Sequence, residues 1–157
     1  MDEKEIKTKL LHYWRFEKNY LWIATEAGRF DADVLASDGK NNLIECEVKV
    51  SKQDLRKEFK KKKHFIYSNP TRWFNNFLPT KFYFAIPYEL KNLCFELTEN
   101  TPYGILGVKK TPIALNRNMS YVVLAKKAQN LSSFQEKLHR KVLLRMGSEL
   151  VRLRLKE

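Results

Sequence analysis

Residues 30–50 read FDADVLASDGKNNLIECEVKV, and the alternation on either side of DGKNN decides which kind of fold the chain can adopt. Side chains of a strand point to opposite faces in turn. Over residues 43–51, Ile44, Cys46, Val48 and Val50 then share one face, and Glu45, Glu47, Lys49 and Ser51 share the other. Over residues 30–37, Phe30, Ala32, Val34 and Ala36 point to the core while Asp31 and Asp33 take the opposite side. Asp38-Gly39-Lys40-Asn41-Asn42 is turn chemistry, so the stretch is a hairpin. Strand interiors are normally poor in Asp, Glu and Lys, and this many charges on one sheet face need an explanation. A turn centred on Lys40 sets Asp33 opposite Glu47 and Asp31 opposite Lys49, with Cβ atoms about 5 Å apart. Carboxylates that close repel each other, and a divalent cation is the natural counter-charge. A tight turn at Gly28-Arg29 would fold the preceding strand back so that Glu26 faces Asp31. The alternative is a solvated sheet face laced with cross-strand ion pairs. Against it stands the sign of the charge: this patch is acidic, and the chain is not.

The 157 residues carry 30 Lys and Arg against 18 Asp and Glu, a formal charge of +12. Such an excess points to a polyanionic partner, nucleic acid before a membrane surface, with a basic but non-binding protein as the bland alternative. A hydrophobic share of 43% with 31% charged residues suits a globular chain and excludes a disordered one. No apolar run reaches the roughly 18 residues of a membrane span. The start, MDEKEIKTKL, has no apolar signal core, so the expected location is cytoplasmic. Cys46 and Cys94 form no C-x-x-C pair, and His12, His64 and His139 show no metal-ligand spacing.

Outward from the hairpin, an apolar stripe of Ile6, Leu10, Leu11 and Trp14 predicts a helix over 3–17, followed by a strand over 20–27. Ser51 with Asp54 resembles a capping box and opens a helix running to about Phe65. In SKQDLRKEFKKKKHF, Leu55, Phe59 and Phe65 are assigned to packing. Lys52, Arg56, Lys57, Lys60, Lys61, Lys62 and Lys63 put seven cations within twelve residues. They suit a phosphate-tracking surface, or form only a solvated face. The irregular stretch SNPTRWFNNFLPT holds Arg72, Trp73, Phe74 and Phe77, which would either stack on unpaired bases or pack the loop onto the core. A strand over 81–87, a short helix over 88–97, two or three strands within 104–124 and a helix over 133–156 complete the chain. Lys137, Arg140, Lys141, Arg145, Arg152 and Arg154 on that last helix are a second phosphate surface or a solvated face. The order α-β-β-β-α-β, then extra strands and a C-terminal helix, is one α/β domain over residues 1–157.

Asp33 followed across the hairpin by Glu47-Val48-Lys49 resembles the D…(D/E)-x-K core of the PD-(D/E)XK nuclease superfamily. IECEVKVSKQDLRKEFKKKKHF, KFYFAIPYEL and TPYGILGV resemble its small MmcB-like branch, linked to DNA repair. That branch has an E-x-K-x-S strand end, an Asp early in the next helix, a strand ending F-A-x-P and a late Gly-containing strand. The likeness covers roughly residues 20–110. Ala32 stands where the superfamily's name has proline, and Asp31 adds a second acid two residues before Asp33.

The resemblance implies a restriction-endonuclease-like fold, a mixed central sheet flanked by helices. It implies hydrolysis of DNA phosphodiesters with Mg²⁺, for which Mn²⁺ substitutes, in DNA repair or a mobile-element context. Asp33 and Glu47 would hold the metal with the Val48 carbonyl as a third oxygen. Lys49 would orient the attacking water or stabilise charge on the phosphorane. Glu26 would bind a second metal, tune Lys49 or serve only as a structural ion pair. RNA is an alternative substrate, and a homodimer is an expectation because endonucleases that cut both strands often work in pairs. A chain this small has little room for base-specific readout, so preference for nucleic-acid structure over sequence is expected. The rival is a nuclease-fold protein that binds nucleic acid through its basic helix without cutting; the intact Asp33, Glu47 and Lys49 trio argues against it.

Overall fold

In the computed structural model the hairpin pairs in the register centred on Lys40: Val34 lies opposite Cys46, Leu35 opposite Glu45, Ala36 opposite Ile44 and Ser37 opposite Leu43. One rung further, the same register sets Asp33 across from Glu47. The turn is held by Asp38, whose Oδ1 accepts the N–H groups of Lys40, Asn41 and Asn42 at 2.8, 3.0 and 2.9 Å. Gly39 takes φ +74°, and a Cβ there would run into the Trp22 ring.

Residues 1–28, 30–69, 77–111 and 120–155 are described; Arg29, Arg72, Trp73 and Phe74 lie outside them. The elements are α1 (Glu3–His12) continued by a π-helical turn (Tyr13–Glu17), β1 (Trp22–Ala27), β2 (Ala32–Ser37), β3 (Leu43–Val48), α2 (Lys52–Glu58) and α3 (Lys62–Ser68). Then come β4 (Lys81–Pro87), a 3₁₀ turn (Tyr88–Leu90) leading into α4 (Lys91–Thr98), β5 (Gly104–Lys110), β6 (Ser120–Lys126) and α5 (Glu136–Arg154). One six-stranded sheet runs in the order β1-β2-β3-β4-β5-β6. Its hairpin neighbours and β6 are antiparallel, and β3, β4 and β5 are mutually parallel. The architecture is therefore α/β, a mixed sheet flanked by helices and closed by a C-terminal helix.

Parallel neighbours need a crossover, and here the crossovers bring helices onto the face that carries Glu45 and Glu47. Ile6 and Leu10 of α1 pack with Val34, Ala36, Ile44, Cys46 and Val48 on one face. Leu55 and Tyr67 of α2 and α3 pack with Phe82, Phe84 and Ile86 on the other. Leu138 and Val142 of α5 cover Ala24, Ala32 and Leu35 near the β1 edge. No described helix is long and apolar enough to cross a membrane.

Two expectations are corrected. β2 and β3 do not have one dry and one solvated face, since every residue of β3 is buried. The single helix over 51–65 is two helices. Ser51 caps α2, accepting the Asp54 N–H at 3.1 Å and donating to the Asp54 carboxylate at 2.7 Å, but α2 closes at Glu58 and Lys61 is extended, with ψ 141°. Consecutive lysines on one helix repel at i,i+3 and i,i+4. The break also restarts the helical phase. Lys63, His64 and Tyr67 turn inward, and Phe65, assigned to packing from its spacing, turns out to solvent.

Candidate functional site

β3 delivers Glu45 and Glu47 beneath α2 and α3, where three carboxylates meet three ammonium groups. Glu47 Oε1 accepts from Lys49 Nζ at 2.8 Å and lies 3.3 Å from Lys61 Nζ, while its Oε2 accepts from Lys63 Nζ at 2.6 Å. Glu58, 1% exposed, takes Lys63 Nζ at 3.1 Å and His64 Nε2 at 3.3 Å on its Oε1. Its Oε2 has Lys61 at 2.6 Å and Lys49 at 3.1 Å, though neither meets it along a hydrogen-bond direction. Glu45 accepts from the Tyr67 hydroxyl at 2.6 Å and faces Lys63 at 3.5 Å. His64 sits between Glu58 and Tyr103, its Nε2 facing Glu58 Oε1 and its Nδ1 3.0 Å from Tyr103 Oη. Buried charge is tolerated only when it is paired and hydrogen-bonded, and here the charges cancel within the cluster.

Asp33 reaches the same end of the hairpin from β2. Its Oδ2 accepts the Val48 N–H at 2.7 Å, and its Oδ1 lies 2.8 Å from Lys7 Nζ. Lys7 of α1 also binds Glu26 at 2.5 Å and Glu3 at 2.7 Å. Glu26 does not face Asp31: Thr25 pairs with Val34 and Ala27 with Ala32, so Glu26 sits across from Asp33. The cause is local. Glu26 and Asp31 take φ +48° and +49°, and Ala24 and Ala27 end on the same α5-covered side despite their odd spacing. Asp33 and Asp31 are thereby separated. Asp33 goes to Lys7 and Val48, and Asp31 lines a cleft with Phe30, Lys61, Lys62 and Lys63.

Electrostatics distinguish the acids. Burial pushes the Asp33 carboxyl up, and the nearby Glu47 charge adds to it against the hydrogen bonds from Lys7 and Val48. Burial likewise raises Glu45. Burial acts the same way on Glu47 and Glu58, but Lys63 and Lys49 hold Glu47 below the usual carboxylate range, and His64, Lys63 and Lys61 hold Glu58 far below it. Lys63 is raised by its three glutamates in spite of its burial.

Asp33 and Glu47 fit a magnesium ion by donor type. They are hard oxygens on opposed rungs, where the Glu47 charge adds to the burial that raises Asp33, and one or two carboxylates suffice for that ion. Among the described residues no three His, Cys, Asp or Glu side chains form a ready cluster, and Val48 is seen to contribute its N–H, to Asp33. Lys52, Arg56, Lys57, Lys60, Lys61 and Lys62 are exposed. Lys63 is 3% exposed and bound to glutamates, so it is removed from the phosphate-tracking surface. On α5, Arg145 is spent on the Thr25 carbonyl and Glu149, and Lys141 lies over the Phe77 ring at 4.9 Å.

The sequence reading missed Lys7, Glu58, His64 and Tyr67. Glu58 carried a signal, a charge three residues after Leu55 on the buried side of α2; Lys7 carried none.

The chain matches no protein-family model and no curated protein. Among solved structures it is similar to SPO1766, a protein of unknown function from Silicibacter pomeroyi. The two share 13% identity with a TM-score of 0.66, over 95% of this chain and 88% of that one. At such identity the likeness is one of fold, and function has to be argued from the site.

Proposed function

We propose that the protein is a magnesium-dependent nuclease that hydrolyses DNA phosphodiester bonds, selects its substrates by structure, and serves DNA repair or a mobile element in the cytoplasm. The observation that carries this reading is the meeting of Asp33, Glu47 and Lys49 at one end of the hairpin, through the Val48 N–H and the pairing of Lys49 with Glu47. Asp33 and Glu47 would hold a magnesium ion, for which manganese would substitute, and the ion would supply Lewis acidity toward a phosphoryl oxygen. Lys49 Nζ donates hydrogen bonds to the negative charge that develops on the phosphorane. Lys63 fixes Glu47 from below, at 2.6 Å. Lys52, Arg56, Lys57 and Lys60 hold the phosphate backbone, an attraction that weakens with salt. Glu26 acts through Lys7 on Asp33 and is a positioning residue. Two copies acting together would serve cleavage of both strands.

A second reading has one observation in its favour. Each oxygen of Asp33 and Glu47 already has an ammonium or N–H partner, as in a self-neutralised core that binds nucleic acid without cutting it. Labelled single-stranded, duplex, flap and branched DNA, and RNA, incubated with Mg²⁺, Mn²⁺ or EDTA, separate the two. The nuclease reading expects metal-dependent cutting that falls about 100-fold or more in both Asp33→Ala and Lys49→Ala. Binding that survives EDTA with no cutting of any substrate supports the binding module.

A further inference from the structure

Phe65 is 73% exposed, and among the described residues its ring makes no aromatic or cation–π contact. It stands on the outer side of α3 in a cleft of about 490 Å³ that Phe59, Lys60, Lys61, Lys62 and Asn69 also line. A second cleft, of about 330 Å³, shares Lys61 and Lys62 and ends at Phe30 and Asp31, two residues from Asp33. Lys61 joins these clefts to the carboxylates, its Nζ lying 3.3 Å from Glu47 and 2.6 Å from Glu58. Phe65 thus presents a solvent-facing ring beside the ammonium groups of Lys60, Lys61 and Lys62, the pairing of an aromatic surface with cations that single-stranded nucleic acid uses.

We infer that Phe65 is a stacking platform for a base of an unpaired nucleic-acid strand, whose phosphates lie on Lys60 and Lys62 and whose path leads past Lys61 to the carboxylates. This rests on the nuclease reading for its direction and names that enzyme's substrate class, an unpaired strand or frayed end. The chemistry suits the ligand. Every base has a π-face to lay on an aromatic ring, and stacking needs no base-specific hydrogen bonds. In a closed duplex the faces are already stacked on their neighbours, so the ring offers a duplex nothing.

The test is fluorescence anisotropy of the full-length protein in EDTA, with labelled single-stranded DNA, single-stranded RNA, duplex DNA and an abasic single strand of equal length. Phe65→Ala is expected to weaken binding of the base-bearing single strands about 5- to 100-fold. Duplex and abasic strands are expected to change less than about twofold, and Phe65→Trp to restore single-strand binding. The DNA and RNA arms identify which strand is preferred. An equal loss on all four ligands, no loss on any, or no single-strand binding by the unaltered protein overturns the inference. EDTA keeps these outcomes separate from the nuclease reading, which is tested by metal-dependent cleavage and its loss in Asp33→Ala and Lys49→Ala.

Discussion

Replacing Lys63 with methionine keeps the aliphatic stem and deletes an ammonium lying 2.6 Å from Glu47, 3.1 Å from Glu58 and 3.5 Å from Glu45. Three buried carboxylates would then be left with two ammonium groups, Lys49 and Lys61, and with His64 on Glu58, while Glu45 would keep only the Tyr67 hydroxyl among the described partners. Removing one member of a buried ion network costs roughly 3–5 kcal/mol, because the remaining charges stay desolvated. Lys63 is almost wholly buried, so solvent screening does not reduce that figure. For a domain of this size each kcal/mol lowers the melting temperature by about 2–4 °C, so Lys63→Met should melt roughly 6–20 °C below the unaltered protein. Lys61→Met provides the contrast. Its side chain is 53% exposed, and its loss should cost about 1 kcal/mol or less. Adding Glu45→Gln to Lys63→Met should recover part of the stability, since the two residues couple directly. Circular dichroism melts and urea titrations measure all three. A Lys63→Met protein melting within about 2 °C of the unaltered one, or a loss equal to that of Lys61→Met, would refute the buried network.

The same network sets a pH window, which difference measurements isolate residue by residue. Glu58 is held below its ordinary 4.5, so the stability gap to Glu58→Gln should be full above pH 4.5 and close as pH falls further, opposite in sign to the effect of Asp33 and Glu45, which are raised. Lys63 is held above its ordinary 10.5, so the gap to Lys63→Met should persist up to pH 10.5 and shrink only beyond it; narrowing of either gap near pH 7 would contradict these shifts. Gly39→Ala should cost about 2–4 kcal/mol by urea denaturation, from strained φ and crowding against Trp22, and an unchanged midpoint would mean that the turn is not as described.

Much of the architecture is written in local chemistry. Alternation over 34–37 and 43–48, with Asp38 and Gly39 supplying the turn, specified the hairpin register that holds Asp33 opposite Glu47. It fails before that: Phe30 packs on the α2–α3 side and Ala32 against α5 instead of beside Val34 and Ala36, and Asp31, at φ +49°, lies outside β2 and is not paired with Lys49. KFYFAIP is β4 over its full length, and Ser51 with Asp54 opened α2 where the capping chemistry placed it. The same register brings Asp33, Glu47 and Lys49, singled out by their D…E-x-K spacing, to one end of the hairpin.

Alternation states which side chains share a face and is silent on what covers that face. The parallel crossovers laid α2 and α3 over Glu45 and Glu47, and only that packing turned a patch that could have been solvated into a buried network. The fates of Lys63 and Phe65 turn on one dihedral. Extended ψ at Lys61 resets the helical phase, and neither the lysine run nor the apolar spacing encodes that rotation. Lys7 meets Asp33 across 26 positions of chain because α1 lies against the hairpin. Contacts of this kind come from the closing of the whole domain, where loop entropy is repaid by burial far from either residue.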